Sequence, residues 1–90
     1  MDLIALRTKI DAVDRELVAL FCRRMELSEQ VAVYKQEHGL PVLDKGREAE
    51  LLQRVAALSS CPQETAELYH TILYLSRRRQ ERSPERQENR

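Results

Sequence analysis

The sequence predicts an all-α protein of three helices, one long and two shorter, that intertwines with a second copy of itself as a homodimer. Three observations lead there. Apolar residues in the opening third recur in alternating steps of three and four: Leu3, Leu6, Ile10, Val13, Leu17, Leu20, Leu27, Val31 and Tyr34. That is the seam of an amphipathic helix with a heptad repeat. No stretch alternates with the two-residue period of a strand, and only 2 glycines and 3 prolines punctuate the 90 residues. Finally, the opening helix is too long for its chain. About 35 residues rising 1.5 Å each span roughly 50 Å, whereas a compact chain of this size is only about 30 Å across. The remaining residues cannot cover that stripe, and a core this small is marginal alone. Packing helix 1 on its own copy solves both problems.

The elements follow in order. Asp2 is placed to N-cap helix 1, which stops at His38-Gly39-Leu40-Pro41, glycine in the left-handed cap and proline two residues on. His38 reads as a last-turn residue that suits the helix dipole. After a short loop, Asp44 caps helix 2. Leu51, Leu52, Val55 and Leu58 form its apolar face, and Gly46 weakens its first turn slightly. Ser59-Ser60-Cys61 breaks the pattern, and Pro62 suits a first helical position. Helix 3 runs from Pro62 to beyond Gln80 with Leu68, Ile72 and Leu75 inward. Residues 1–81 form one domain. Residues 82–90 are charged, lack apolar period and read as a disordered tail.

Composition narrows the function. Fifteen basic and fifteen acidic residues balance, and aromatic content is 4%, which argues against nucleic acid and membrane surfaces as partners. Cys22 and Cys61 make neither a disulfide framework nor a metal spacing. They read as reduced thiols of a cytoplasmic protein. No signal peptide opens the chain, and no apolar run approaches the ~18 residues of a membrane span.

The chemistry lies in polar residues at positions where apolar ones belong. Between Leu20 and Leu27 the seam calls for an apolar residue, and the sequence has Arg24. A cation there is costly unless an anion meets it, and no acidic residue holds a neighbouring seam position. Lys35 lies eleven residues later, about 20° from the same face and roughly 16 Å along it. Two long cations so spaced can lean inward on a small dianion. Arg47 and Glu48 sit in the first turn of helix 2 after the Asp44 cap, where free backbone N–H groups and the dipole favour anions. Ser76 and Gln80 are four apart on helix 3, and Arg7 flanks the seam near the start of helix 1. Arg77-Arg78-Arg79 reads as a solvated helix end. The set holds several cations, one acceptor carboxylate, two neutral hydrogen-bonders and no nucleophile beside a base. It is suited to binding a small multi-anion and poorly equipped for hydrolysis or covalent catalysis.

These residues resemble a known family, the all-helical chorismate mutases, and in particular the mutase domain of bifunctional chorismate mutase–prephenate dehydratases. The matching pattern is Leu6-Arg7-x-x-Ile10-Asp11-x-x-Asp14-x-x-Leu17-x-x-Leu20, then Arg24, Lys35, Pro41-Val42-x-Asp44-x-x-Arg47-Glu48 and Ser76-x-x-x-Gln80. It covers residues 3 to 80. Arg77 departs from it, standing where an apolar residue is expected. No dehydratase or dehydrogenase domain accompanies the segment, so it reads as a stand-alone enzyme or a fragment of a longer one.

The resemblance implies conversion of chorismate to prephenate, a [3,3] rearrangement on the route to phenylalanine and tyrosine, with no metal or cofactor. It assigns the substrate carboxylates to Arg24, Arg7 and Arg47. Lys35 and Gln80 donate to the ether oxygen. Glu48 accepts from the ring hydroxyl, assisted by the backbone at Asp44, and Ser76 bonds the ring carboxylate. Arg7 lies about 25 Å from Arg24 along one helix, so it serves the other subunit's site. Two alternatives stand beside this reading: an isochorismate–pyruvate lyase, and a non-catalytic helical dimerisation or ligand-sensing module.

Overall fold

The structure, a computed structural model, describes residues 2–82. Three helices account for nearly all of them: α1 (Leu3–Glu37), α2 (Lys45–Leu58) and α3 (Pro62–Glu81). No strand occurs among the described residues. The expected stretch 83–90 of the tail lies outside the described residues, and Arg82 is the C-cap of α3.

The helix ends follow the sequence signals closely. The Asp2 carboxylate accepts from the Ala5 N–H at 2.8 Å, and Asp44 Oδ1 accepts from the Arg47 N–H at 3.0 Å. Each satisfies one orphan donor of a first turn. Pro62 opens α3, but the side chain of its N-cap, Cys61, makes no capping bond. Ser59 orders that turn instead. Its Oγ accepts from the Cys61 N–H at 2.9 Å and lies 2.6 Å from Thr65 Oγ1. His38 is the C-cap of α1 rather than a last-turn residue, and its ring stacks on Tyr34. Gly39 has φ +65°, a left-handed conformation in which a Cβ clashes with its own backbone. No neighbour crowds the position, so strain alone sets the cost of a side chain there. Gly39→Ala should therefore lose about 1 kcal/mol in urea unfolding, and an unchanged midpoint would show that the turn relaxes freely.

The chain by itself has only a small core. Helix α3 packs against both α1 and α2. Among the described residues, the buried hydrophobic side chains are only Met25, Ala32 and Leu73. Every described residue of α1 before Phe21 is exposed, including the seam residues Leu6, Ile10, Val13 and Leu17. The protomer is 56 Å long with a radius of gyration of 16.4 Å, against about 12 Å for a compact chain of this length.

One inward assignment needs correction, and the apolar face of helix 2 is only partly covered. Leu58 is 81% exposed in the last turn of α2. Leu68 is 51% exposed. The inner face of α3 is the one that carries Leu73, Ser76 and Gln80, all buried. Leu68, Ile72 and Leu75 point into a second, open concavity with Leu17, Leu20 and Phe21 of α1, where the protomer places no element over them.

Candidate functional site

A cleft of about 370 Å³ opens where the C-terminal half of α1, the start of α2 and the end of α3 meet. Each element contributes by a local rule. The seam of α1 presents Arg24 and, three turns on, Lys35. The cap of α2 fixes where that helix begins, and so places Asp44, Arg47 and Glu48 on the rim of its first turn. The four-residue spacing on α3 puts Ser76 and Gln80 on one face. Seven of the eight sequence-derived site residues thus line a single cavity, joined by apolar walls from Leu27, Val31, Val42, Leu51 and Leu73. Arg7 does not. It sits on the exposed N-terminal half of α1, far from its own chain's cleft.

Four cations and two carboxylates face the cavity, leaving an excess of positive charge. Arg24 Nη1 donates to Ser76 Oγ at 2.6 Å, and its guanidinium lies 5.9 Å from the centroid of the Tyr69 ring. Among the described residues no carboxylate pairs with it. Lys35 Nζ donates to the Val42 carbonyl at 2.6 Å, and it too has no ion-pair partner among the described residues. Both cations are therefore steered into place by neutral oxygens while their charge stays uncompensated. An anion entering the cleft meets charge that is already oriented. Arg47 pairs at the surface with Glu50 at 3.1 Å, an exposed contact that a ligand can replace at small cost.

The neutral groups are equally committed. Ser76 is 5% exposed and accepts from Arg24, while Ser28 Oγ donates to the Arg24 carbonyl at 3.1 Å. Neither hydroxyl has a base beside it. Gln80 is buried, and its Oε1 has no hydrogen-bond partner. A buried amide atom without a partner is costly. Gln80 lines the cavity, and its amide carries a donor at Nε2 as well as the acceptor Oε1.

Sequence reasoning missed what Arg77 does. Its side chain is 29% exposed, and Nη1 pairs with Glu48 Oε2 across the cleft wall. The other two arginines of the run are also engaged. Arg79 Nε donates to Glu29 Oε1 at 2.5 Å, and Arg78 lies over the Tyr74 ring. The reading of a solvated helix end is thus wrong for Arg77. The spacing of four puts Arg77 on the face that buries Leu73, which identifies its direction only once the rotation of α3 is known.

Among the described residues no group of three or more His, Cys, Asp or Glu is arranged to hold a metal ion. No helix among them is long and apolar enough to cross a membrane.

Comparison with known proteins places this geometry. A T-protein of Haemophilus influenzae is 50% identical over 48 residues, which is 53% of this chain and 13% of that protein. The bifunctional chorismate mutase/prephenate dehydratase of Escherichia coli K12 is 45% identical over 56 residues, 62% of this chain and 14% of that protein. A 4-amino-4-deoxychorismate mutase of Streptomyces venezuelae is 36% identical over 55 residues, 61% of this chain and 53% of that protein. The chain therefore spans about one seventh of the T-protein and bifunctional relatives and about half of the smaller one. No solved structure matches. The sequence model of the family described as chorismate mutase type II matches residues 6–81, a span that holds the whole cleft and the unpartnered stripe of α1, and the chain belongs to that family.

Proposed function

We propose that the chain rearranges chorismate to prephenate, on the route to phenylalanine and tyrosine, as a homodimer in which each site takes Arg7 from the partner subunit. The observation that carries this reading is the pairing of uncompensated, pre-oriented cations with the absence of any activated nucleophile in the cleft. The rearrangement is unimolecular. One C–O bond breaks as one C–C bond forms, and no proton or protein bond is required. A protein can contribute by holding the compact conformer and by stabilising negative charge that grows on the ether oxygen.

Chorismate offers two carboxylates, an ether oxygen and one hydroxyl. Arg24, with Ser76 beside it, suits one carboxylate, and Arg47 and Arg7 of the partner subunit suit the other. Lys35 of α1 and Gln80 of α3 both line the cavity, which supports them as the donors to the ether oxygen. The hydroxyl needs an acceptor. Glu48 suits that role: Arg77 holds its Oε2, and its Oε1 remains to accept. The exposed stripe on α1 supports the dimer. Leu6, Ile10, Val13 and Leu17 are each already about half covered, so burying them against a second copy gains about half of the roughly 1.5–3 kcal/mol of a full burial per side chain, and an antiparallel pairing brings Arg7 of one chain towards Arg24 of the other.

The relative named for 4-amino-4-deoxychorismate raises a second substrate, alike except for an amino group in place of the ring hydroxyl. The test of the main reading is to give purified protein chorismate or isochorismate, without metal or cofactor, and identify the products. Prephenate from chorismate supports it. Pyruvate release from isochorismate alone supports a lyase, and no product from either supports a non-catalytic module.

A further inference from the structure

We propose that Arg77 is a specificity-determining residue, which makes the cleft select a ring hydroxyl and reject a ring ammonium at the same position. The inference rests on the proposed rearrangement and on Glu48 meeting the ring substituent. It goes further by asking what Glu48 can accept.

A bare carboxylate lining an apolar wall takes a cation more readily than a neutral donor, because attraction between opposite full charges adds to the hydrogen bond. Left alone, Glu48 would therefore favour an amino group, protonated at neutral pH, over a hydroxyl. It is not left alone. Arg77 Nη1 holds Oε2, and the two side chains are 29% and 23% exposed, so solvent screens the pair only in part. The pair is close to neutral as a unit. Oε1 remains an acceptor with a lone pair to offer, but the negative charge that would attract an ammonium is already matched. An ammonium brought to Oε1 also comes within a few ångströms of the guanidinium, where like charges repel in this partly screened setting.

The rest of the cleft does not offset that repulsion: Asp44 keeps its charge while its Oδ1 caps α2, but Arg24, Lys35 and Arg47 outnumber it three to one. A hydroxyl feels no such penalty and donates to Oε1 directly. Arg77 thus acts through Glu48. It is a positioning residue for the reaction and a discriminating residue for the substrate.

The amino analogue also carries one fewer net negative charge than chorismate, so the cation-rich cleft prefers chorismate whatever stands at residue 77. Variants separate the two causes. The ratio of kcat/KM for chorismate to that for 4-amino-4-deoxychorismate is measured in wild type, Arg77→Lys, Arg77→Met and Arg77→Gln, with helicity of each checked by circular dichroism. The wild type should favour chorismate strongly. Arg77→Met and Arg77→Gln should lower the ratio at least about tenfold, a factor corresponding to one unit of charge interaction. Arg77→Lys, which keeps the charge, should stay near wild type. A merely structural role for Arg77 would depress both substrates together and leave the ratio unmoved.

A ratio near one in wild type overturns the proposal while the rearrangement itself stands. A ratio unchanged within twofold in both neutral variants does the same. If chorismate is not turned over by wild type, the functional reading has failed, and the selectivity proposal falls with it. Should one neutral variant not fold, the other and the lysine variant still decide the matter.

Discussion

Lys35→Ala and Gln80→Ala should each lose about 100-fold or more in kcat, beyond any change in KM. Both side chains are proposed to face charge that exists chiefly in the transition state, and a donor of that kind lowers the barrier without tightening the ground state. The cleft prepares them for it. Lys35 is held by the Val42 carbonyl with its charge uncompensated, and Gln80 is buried in the wall of the cleft. Steady-state kinetics with chorismate separates the two parameters. A variant with wild-type kcat and only a raised KM would assign its residue to ground-state binding. Substitution at Arg47, exposed and already sharing its charge with Glu50, should instead act more on KM.

Equal amounts of Arg7→Ala and Arg24→Ala, each nearly inactive as a homodimer, should recover about a quarter of wild-type activity when refolded together. Random pairing makes about half of the dimers mixed. In a mixed dimer one site joins the intact Arg24 of one chain to the intact Arg7 of the other, and the second site carries both lesions. Geometry motivates the experiment. Arg24 lines the cleft and Arg7 does not, and seventeen residues of straight helix separate them by about 25 Å. If Arg7 served its own chain, every site in the mixture would keep one lesion, and activity would stay at the mutant baseline. Mass spectrometry of the refolded dimers confirms that mixing occurred. Refolding the two variants together, rather than mixing folded samples, ensures that the chains can pair at random.

Much of this site was legible in the sequence, for reasons that can be traced residue by residue. Arg24 announced itself by breaking an apolar period, and the structure leaves it without a carboxylate among the described residues. Asp44 and Asp2 were readable as caps because cap chemistry is local. Gly39 was readable because few residues tolerate its φ of +65°. What could not be read was the rotation of α3. Its apolar residues fall on two faces, and the pattern does not say which of them meets α1 and α2 and which awaits another partner. Leu68 and Ile72 carried the stronger hydrophobic signal, yet the face that is buried holds Leu73, Ser76 and Gln80. The misreading of Arg77 has the same origin. Three successive arginines look like a solvated end until the rotation is known, and only then does the first of them reach Glu48. The long-range pairs of Arg24 with Ser76 and Arg79 with Glu29 depend on tertiary packing in the same way.

The central claim is that the cleft is organised for a compact dianion with negative charge building on its ether oxygen. Calorimetry tests this most directly, by comparing a stable bicyclic ether dicarboxylate that mimics the compact geometry with prephenate, which carries the same charge. The account predicts at least about 100-fold tighter binding of the bicyclic ligand, an advantage that largely disappears in Lys35→Ala. Equal affinity for the two, in wild type and variant alike, would mean that the cations merely collect anions, and would contradict the account.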